Sequence, residues 1–143
     1  MAVSYTHLDV YKRQVHTLRH TLLEEMLVVV LVCIFFLLHA RSSLARGKLW
    51  QGEYMISGVR DNSLALSCIR HGLPADHGRG MDLLPGAVAA QFEGSLVRQL
   101  DTAELSRAFR VAIQGLLSEI RSVDKELAGR LEGALTHLTE TTS

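Results

Sequence analysis

Residues 26–38 read MLVVVLVCIFFLL, thirteen apolar side chains in succession. As a helix rising about 1.5 Å per residue the run covers roughly 20 Å, short of the roughly 30 Å hydrocarbon layer of a bilayer. Leu22, Leu23 and Ala40 bring it close to spanning length, but only by taking in Glu24, Glu25 and His39. A signal peptide would need a small-residue cleavage site, and His39-Ala40-Arg41 follows instead. A buried core helix has the right length, yet this one is apolar on every face and the remaining chain is small. A transmembrane helix needs the flanking leucines and some snorkelling or local thinning of the bilayer. The transmembrane reading is adopted as the expectation. Its membrane residues are Met26, Leu27, Val28, Val29, Val30, Leu31, Val32, Cys33, Ile34, Phe35, Phe36, Leu37 and Leu38, and the membrane is met through residues 22–40. Glu24 and Glu25 precede the run while Arg41, Arg46 and Lys48 follow it, which puts residues 47–143 on the cytoplasmic side, with Arg13 and Arg19 working against that orientation. If the run is an artefact of fusion the location becomes cytoplasmic, and a greasy helix deprived of lipid seeks any apolar groove.

The whole chain has 143 residues, room for one domain or for one membrane segment and a small domain. Fifteen basic and fifteen acidic side chains cancel, so nothing global argues for nucleic acid as a partner. Cys33 lies in the apolar run and Cys68 in a helical pattern, and both read as small apolar fillers rather than a disulfide framework.

Downstream of the run the text becomes helical and mixed. Leu49, Tyr54, Ile56, Val59, Leu66 and Ile69 supply a buried stripe for a helix from about Lys48 to His71, stopped at Gly72 and Pro74. Asp76–Asp82 is a loop, and Pro85 opens a short helix carrying Val88, Phe92, Leu96 and Val97. Asp101-x-x-Glu104 has the pattern of a capping box. Behind it Leu105, Ala108, Phe109, Ala112, Ile113, Leu116, Leu117 and Ile120 form one apolar face. Asp124 opens the last helix, whose face is Leu127, Leu131, Ala134, Leu135 and Leu138. The expected fold is all-α: one long hydrophobic helix of transmembrane type over residues 15–46, then a small antiparallel helical bundle over residues 47–143.

Three resemblances overlie this reading. Residues 3–14, VSYTHLDVYKRQ, resemble the translation of abutted transposon-end adaptor sequence, which implies that residues 1–14 are a non-native leader. The alternative is a short polar leader with strand-like Val3, Tyr5, Val10 and Tyr11. Residues 16–44, with a TL-EE entry, an aliphatic run and an H-x-R-S-x-L exit, resemble the second transmembrane helix of heavy-metal efflux pumps of the resistance-nodulation-division superfamily. No acidic relay of such a pump accompanies it. Residues 39–143 resemble the C-terminal helical region of bacterial nucleotidyltransferases of the group that includes antibiotic-modifying enzymes. The residues that carry this resemblance are Arg46-Gly47, Trp50-Gln51-x-Glu53-Tyr54, Arg60-Asp61, LALSCIRHGLP at residues 64–74, and Arg79-Gly80-x-Asp82-x-x-Pro85. HARSSL suits both regions, so a join at that point would explain a chimera.

Nucleotidyl transfer needs carboxylates that hold a divalent metal at a triphosphate. The resemblance implies a Gly-Ser turn followed by an acidic pair. Gly94-Ser95 falls in the middle of an expected helix, and no such pair follows it. No catalytic residue and no metal site is therefore assigned. Magnesium and a nucleoside triphosphate are expected only with a catalytic domain that this chain lacks. The candidate substrate-binding residues are Glu53, Tyr54, Arg60, Asp61, Arg70 and Arg79. Glu53 and Asp61 suit an acceptor hydroxyl or amine, and the three arginines suit phosphate. The competing reading of the same residues is a solvated helix face with one or two internal ion pairs. Arg60 and Asp61, being adjacent, are expected to point apart. Trp50 and Tyr54 either stack on a ligand or join the core with a polar tip. His71, Asp76 and His77 straddle a turn at no metal-binding spacing and read as loop residues. The expected function is a catalytically incomplete, acceptor-side accessory domain fused to a membrane segment. The alternatives are an efflux-pump fragment, or a single-pass membrane protein with a cytoplasmic interaction domain. The sequence sets no oligomeric state.

Overall fold

The computed structural model describes residues 6–140, and side chains for all of these except 15–21. The described residues form five α-helices and two single 3₁₀ turns, with no strand among them. The helices are α1 (His7–Ala45), α2 (Leu49–Arg70), α3 (Gly86–Glu93), α4 (Thr102–Val123) and α5 (Lys125–Glu140). The chain is thus all-α, with a long hydrophobic helix followed by packed helices.

Helix α1 starts at His7 rather than near residue 15. The Thr6 side chain accepts from the Asp9 backbone N–H while Asp9 reaches back to the Thr6 backbone, a complete capping box. Val10 and Tyr11 are therefore helical and exposed, whereas Val3 and Tyr5 lie outside the described residues. The stretch Leu22–Ala45, 24 residues, is long and apolar enough to cross a membrane. Within it Met26, Val30, Cys33, Leu37, Ala40 and Leu44 are buried against the other helices. They recur at alternating steps of four and three, the spacing that keeps a seam facing one neighbour. Leu27, Val28, Leu31, Val32, Phe35 and Leu38 face away from the bundle and are exposed.

A tight turn folds α2 back along α1. Lys48 N–H donates to the Ser43 carbonyl and Gly47 N–H to the Leu44 carbonyl, with Gly47 at φ +68°. This 6→1 and 5→2 pair is the Schellman arrangement, whose left-handed residue favours glycine. The same arrangement ends α2, where Gly72 at φ +68° donates to Ile69 and Leu73 donates to Cys68. The α2 side of the seam is Gly52, Ile56, Val59, Ser63, Leu66 and Ser67, with Cys68 beside it, all buried. At Gly58 the Phe36 ring lies where a β-carbon would stand, so the two helices approach closely there. Tyr54, expected in the stripe, lies on the opposite side of α2 and is 67% exposed.

Residues 71–101 carry the chain back to the start of α2, so α4 runs parallel to α2 while α4 and α5 form a second antiparallel hairpin. Phe92 of α3 is buried, but the helix ends at Glu93, leaving Leu96 and Val97 beyond it. Gly94-Ser95 accordingly lies in the turn after α3, not inside a helix. Every apolar residue expected on the inner face of α4 is buried. Asp101 caps α4 by accepting from Glu104 N–H at 2.7 Å. Glu104 does not reciprocate to the Asp101 backbone. It takes two hydrogen bonds from Arg107 and one from Arg98 N–H, while Arg107 Nη1 also reaches the Gly94 carbonyl. The Arg107 and Arg98 donors hold the Glu104 carboxyl down to about 2, against an ordinary value of 4.5. Asp124 caps α5 by accepting from Leu127 N–H. The α5 inner face is Ala128 and Leu135 with Leu127, Leu131 and Leu138 partly covered, and Ala134 is exposed.

Two outcomes test this packing. Gly58→Ala forces a methyl into the Phe36 ring and lowers unfolding stability by about 1–3 kcal/mol, whereas Gly129→Ala, with open space around it, raises it by about 0.5–1 kcal/mol; urea melts of both variants read the difference. Because folding lowers the Glu104 carboxyl, its contribution is full above pH 4.5 and is lost as pH falls through about 2. The denaturant midpoint of Glu104→Gln therefore lies below the parent's at pH 6, and the two converge by pH 2.

Candidate functional site

Glu53, Ser57 and Asp61 follow one another at steps of four, with Tyr54, Gly58 and Asn62 one position further on, so all six share one face of α2. This face points away from the α4 seam, and with Phe36 of α1 it lines a shallow groove of about 230 Å³. Ser57 Oγ donates to Glu53 Oε1 at 2.6 Å, which fixes the carboxylate against its own helix. Asn62 Nδ2 donates to the Gly58 carbonyl at 2.7 Å. Asp61 and Asn62 continue into a second groove of about 450 Å³, closed on its far side by Ala75, His77, Gly78 and Met81 of the connecting segment. His77 holds a left-handed backbone, φ 55°.

Three of the six expected binding residues, Glu53, Tyr54 and Asp61, line these grooves. The arginines are placed otherwise. Arg60 and Asp61 do pair, Nε to Oδ1 at 3.0 Å, although adjacent residues were expected to point apart. The long guanidinium stem bends back over its own helix, leaving Arg60 mostly covered and Asp61 exposed. Arg79 rests on Asp76 Oδ2 at 3.4 Å, beside His77 on the same carboxylate at 3.3 Å, all three exposed. Arg70 is partly buried and pairs with a carboxylate of the bundle interior. Its Nε and Nη2 each lie 3.1 Å from the two oxygens of Glu119, a carboxylate only 1% exposed. Trp50 and Tyr54 are both exposed, so neither joins the core as a buried aromatic.

Glu119 was not anticipated as a buried partner. Its signal is positional: it lies seven and fourteen residues after Ala112 and Leu105, on the inward line of α4. Cys68 lies beside it, and burial followed by the Glu119 charge pushes the Cys68 thiol up. Ser57 and Asn62 were also missed, although the four-step recurrence from Glu53 is readable in the chain.

The donor set does not fit a magnesium–nucleotide grip. Among the described residues no three His, Cys, Asp or Glu side chains stand together as metal ligands. His71 Nδ1 is engaged with the Ser67 carbonyl at 2.8 Å. What the face offers is two carboxylates along an open groove, Glu53 engaged by Ser57 and Asp61 by Arg60, whose remaining oxygens can accept from an amine or hydroxyl. Compared with protein-family models, with curated proteins and with solved structures, the chain finds no match in any of the three.

Removing Arg70 strands a buried carboxylate, which typically costs about 3 kcal/mol or more. Arg70→Leu is therefore expected to lower stability by that amount in a urea melt. Adding Glu119→Leu restores most of the loss, because the second change removes the charge that needed a partner.

Proposed function

We propose that the bundle is an acceptor-side accessory domain of a nucleotidyltransferase-like protein, without a catalytic centre of its own. The observation that carries this reading is the single α2 face on which Glu53, Tyr54 and Asp61 line one continuous pair of grooves. Carboxylates spaced along a groove suit an acceptor bearing several amino and hydroxyl groups, and an aromatic edge beside them gives it an apolar contact. The motifs of residues 39–143 lend the reading its reaction class. Nucleotide and magnesium would be held by a partner catalytic domain.

For location, the length and apolarity of Leu22–Ala45 admit a bilayer, with residues 47–143 on the cytoplasmic side. The packing supports the other reading, and we adopt it: α1 stays with the bundle. In lipid the α1 side chains would lose little, but Ile56, Val59, Phe109 and their neighbours would lose cover to water.

Titration calorimetry with kanamycin as a polycationic acceptor probe tests the groove. Binding is expected to the full chain, weakened about tenfold by Glu53→Gln with Asp61→Asn. With magnesium ATP the chain alone is expected to transfer no nucleotide to the probe. Turnover by the chain alone, or no binding at millimolar probe, overturns the reading.

A further inference from the structure

We infer that the outer face of α1 is the seat of a second copy of this chain, laid antiparallel along the first. The outward side chains Val28, Leu31, Phe35 and Leu38 recur at steps of three and four, the spacing of a coiled-coil seam. Leu27 and Val32 flank them, and the six are between 37% and 67% exposed. At roughly 100 Å² for each side chain the stripe offers about 600 Å² per copy, the upper end of the largest apolar patch on a typical monomer. Pairing two such stripes covers about 1,200 Å², the lower end of specific interfaces.

Charge selects the occupant and its direction. Glu24 and Glu25 close one end of the stripe, and His39 and Arg41 close the other. Among the described residues Glu25 and Arg41 have no ion pair within the chain. A parallel second copy would set like charges side by side at each end. An antiparallel copy brings each acidic end against the other's basic end. In that register Val28 meets Leu38 of the second copy, and Leu31 meets Phe35. Both pairs are centred on the level of Cys33, so each of the four seam positions Val28, Leu31, Phe35 and Leu38 finds an apolar partner. A bilayer would cover the same side chains but gives the acidic end no complement. The inference concerns a different face from the α2 grooves and does not rest on them.

Sedimentation of the full chain reads the result. The expected mass is twice the 15.8 kDa of one chain, with Leu31→Glu raising the dissociation constant at least about 30-fold while helicity by circular dichroism is kept. Direction is read by crosslinking: a mixture of Leu31→Cys and Phe35→Cys chains joins faster than either variant with itself. A monomer across the accessible concentration range overturns the inference. So does a chain that floats with phosphatidylcholine–phosphatidylglycerol vesicles and is monomeric without them, as does Leu31→Cys joining preferentially to itself.

Discussion

The close approach of α1 and α2 is the contact on which the rest of the bundle depends. Phe36 lies over Gly58, and the four-and-three seam of α1 meets one in α2 in which Gly52, Ser63 and Ser67 stand among Ile56, Val59 and Leu66. Small residues let the helix axes draw together, so the large side chains of α1 reach past α2 to the apolar face of α4. Helix α4 supplies Leu105, Phe109, Ile113, Leu116 and Ile120 to that shared core, and α5 closes its far side through Ala128 and Leu135. The hydroxyls in the seam are satisfied within their own helix, Ser63 on the Val59 carbonyl and Ser67 on the Ser63 carbonyl. They leave no polar demand at the interface.

Charge inside the bundle is handled by one fork. The two oxygens of Glu119 meet two guanidinium nitrogens of Arg70, which joins the C-terminal ends of α2 and α4 and sets their parallel alignment. Such a pair adds little net stability, but breaking it by removing one partner is costly. The groove face of α2 lies away from this fork. Arg70, one of three arginines expected to suit phosphate, is paired with Glu119, while in the groove Asp61 is paired with Arg60 and Glu53 accepts from Ser57.

Legibility in the sequence followed the chemistry of each helix. In α4 polar and apolar positions separate cleanly, and the inner face could be read residue by residue. The expected α2 stripe fails at Tyr54 because the seam is completed by glycine and serine, small residues that carry no apolar signal. In α1 no polar face marks an outside, so periodicity could not say that Met26, Val30 and Leu37 turn inward and Leu31 and Phe35 outward. Glu119 escaped because a carboxylate on an inward line has meaning only when its arginine, 49 residues away in the chain, is in view. The grooves combine an α2 face with residues 75–81, and only the Glu53–Asp61 recurrence was open to local reading.

The two-sided apolarity of α1 bears on how the protein is made. Helix α1 leaves the ribosome before its main partner α2, and α4, which completes the cover, follows only after the connecting segment. At about 5–20 residues per second that interval lasts several seconds. During it the outward apolar side chains of the nascent helix stay exposed, a form that chaperones recognise. The time for which α1 stays incompletely covered is thus set by how soon α4 arrives.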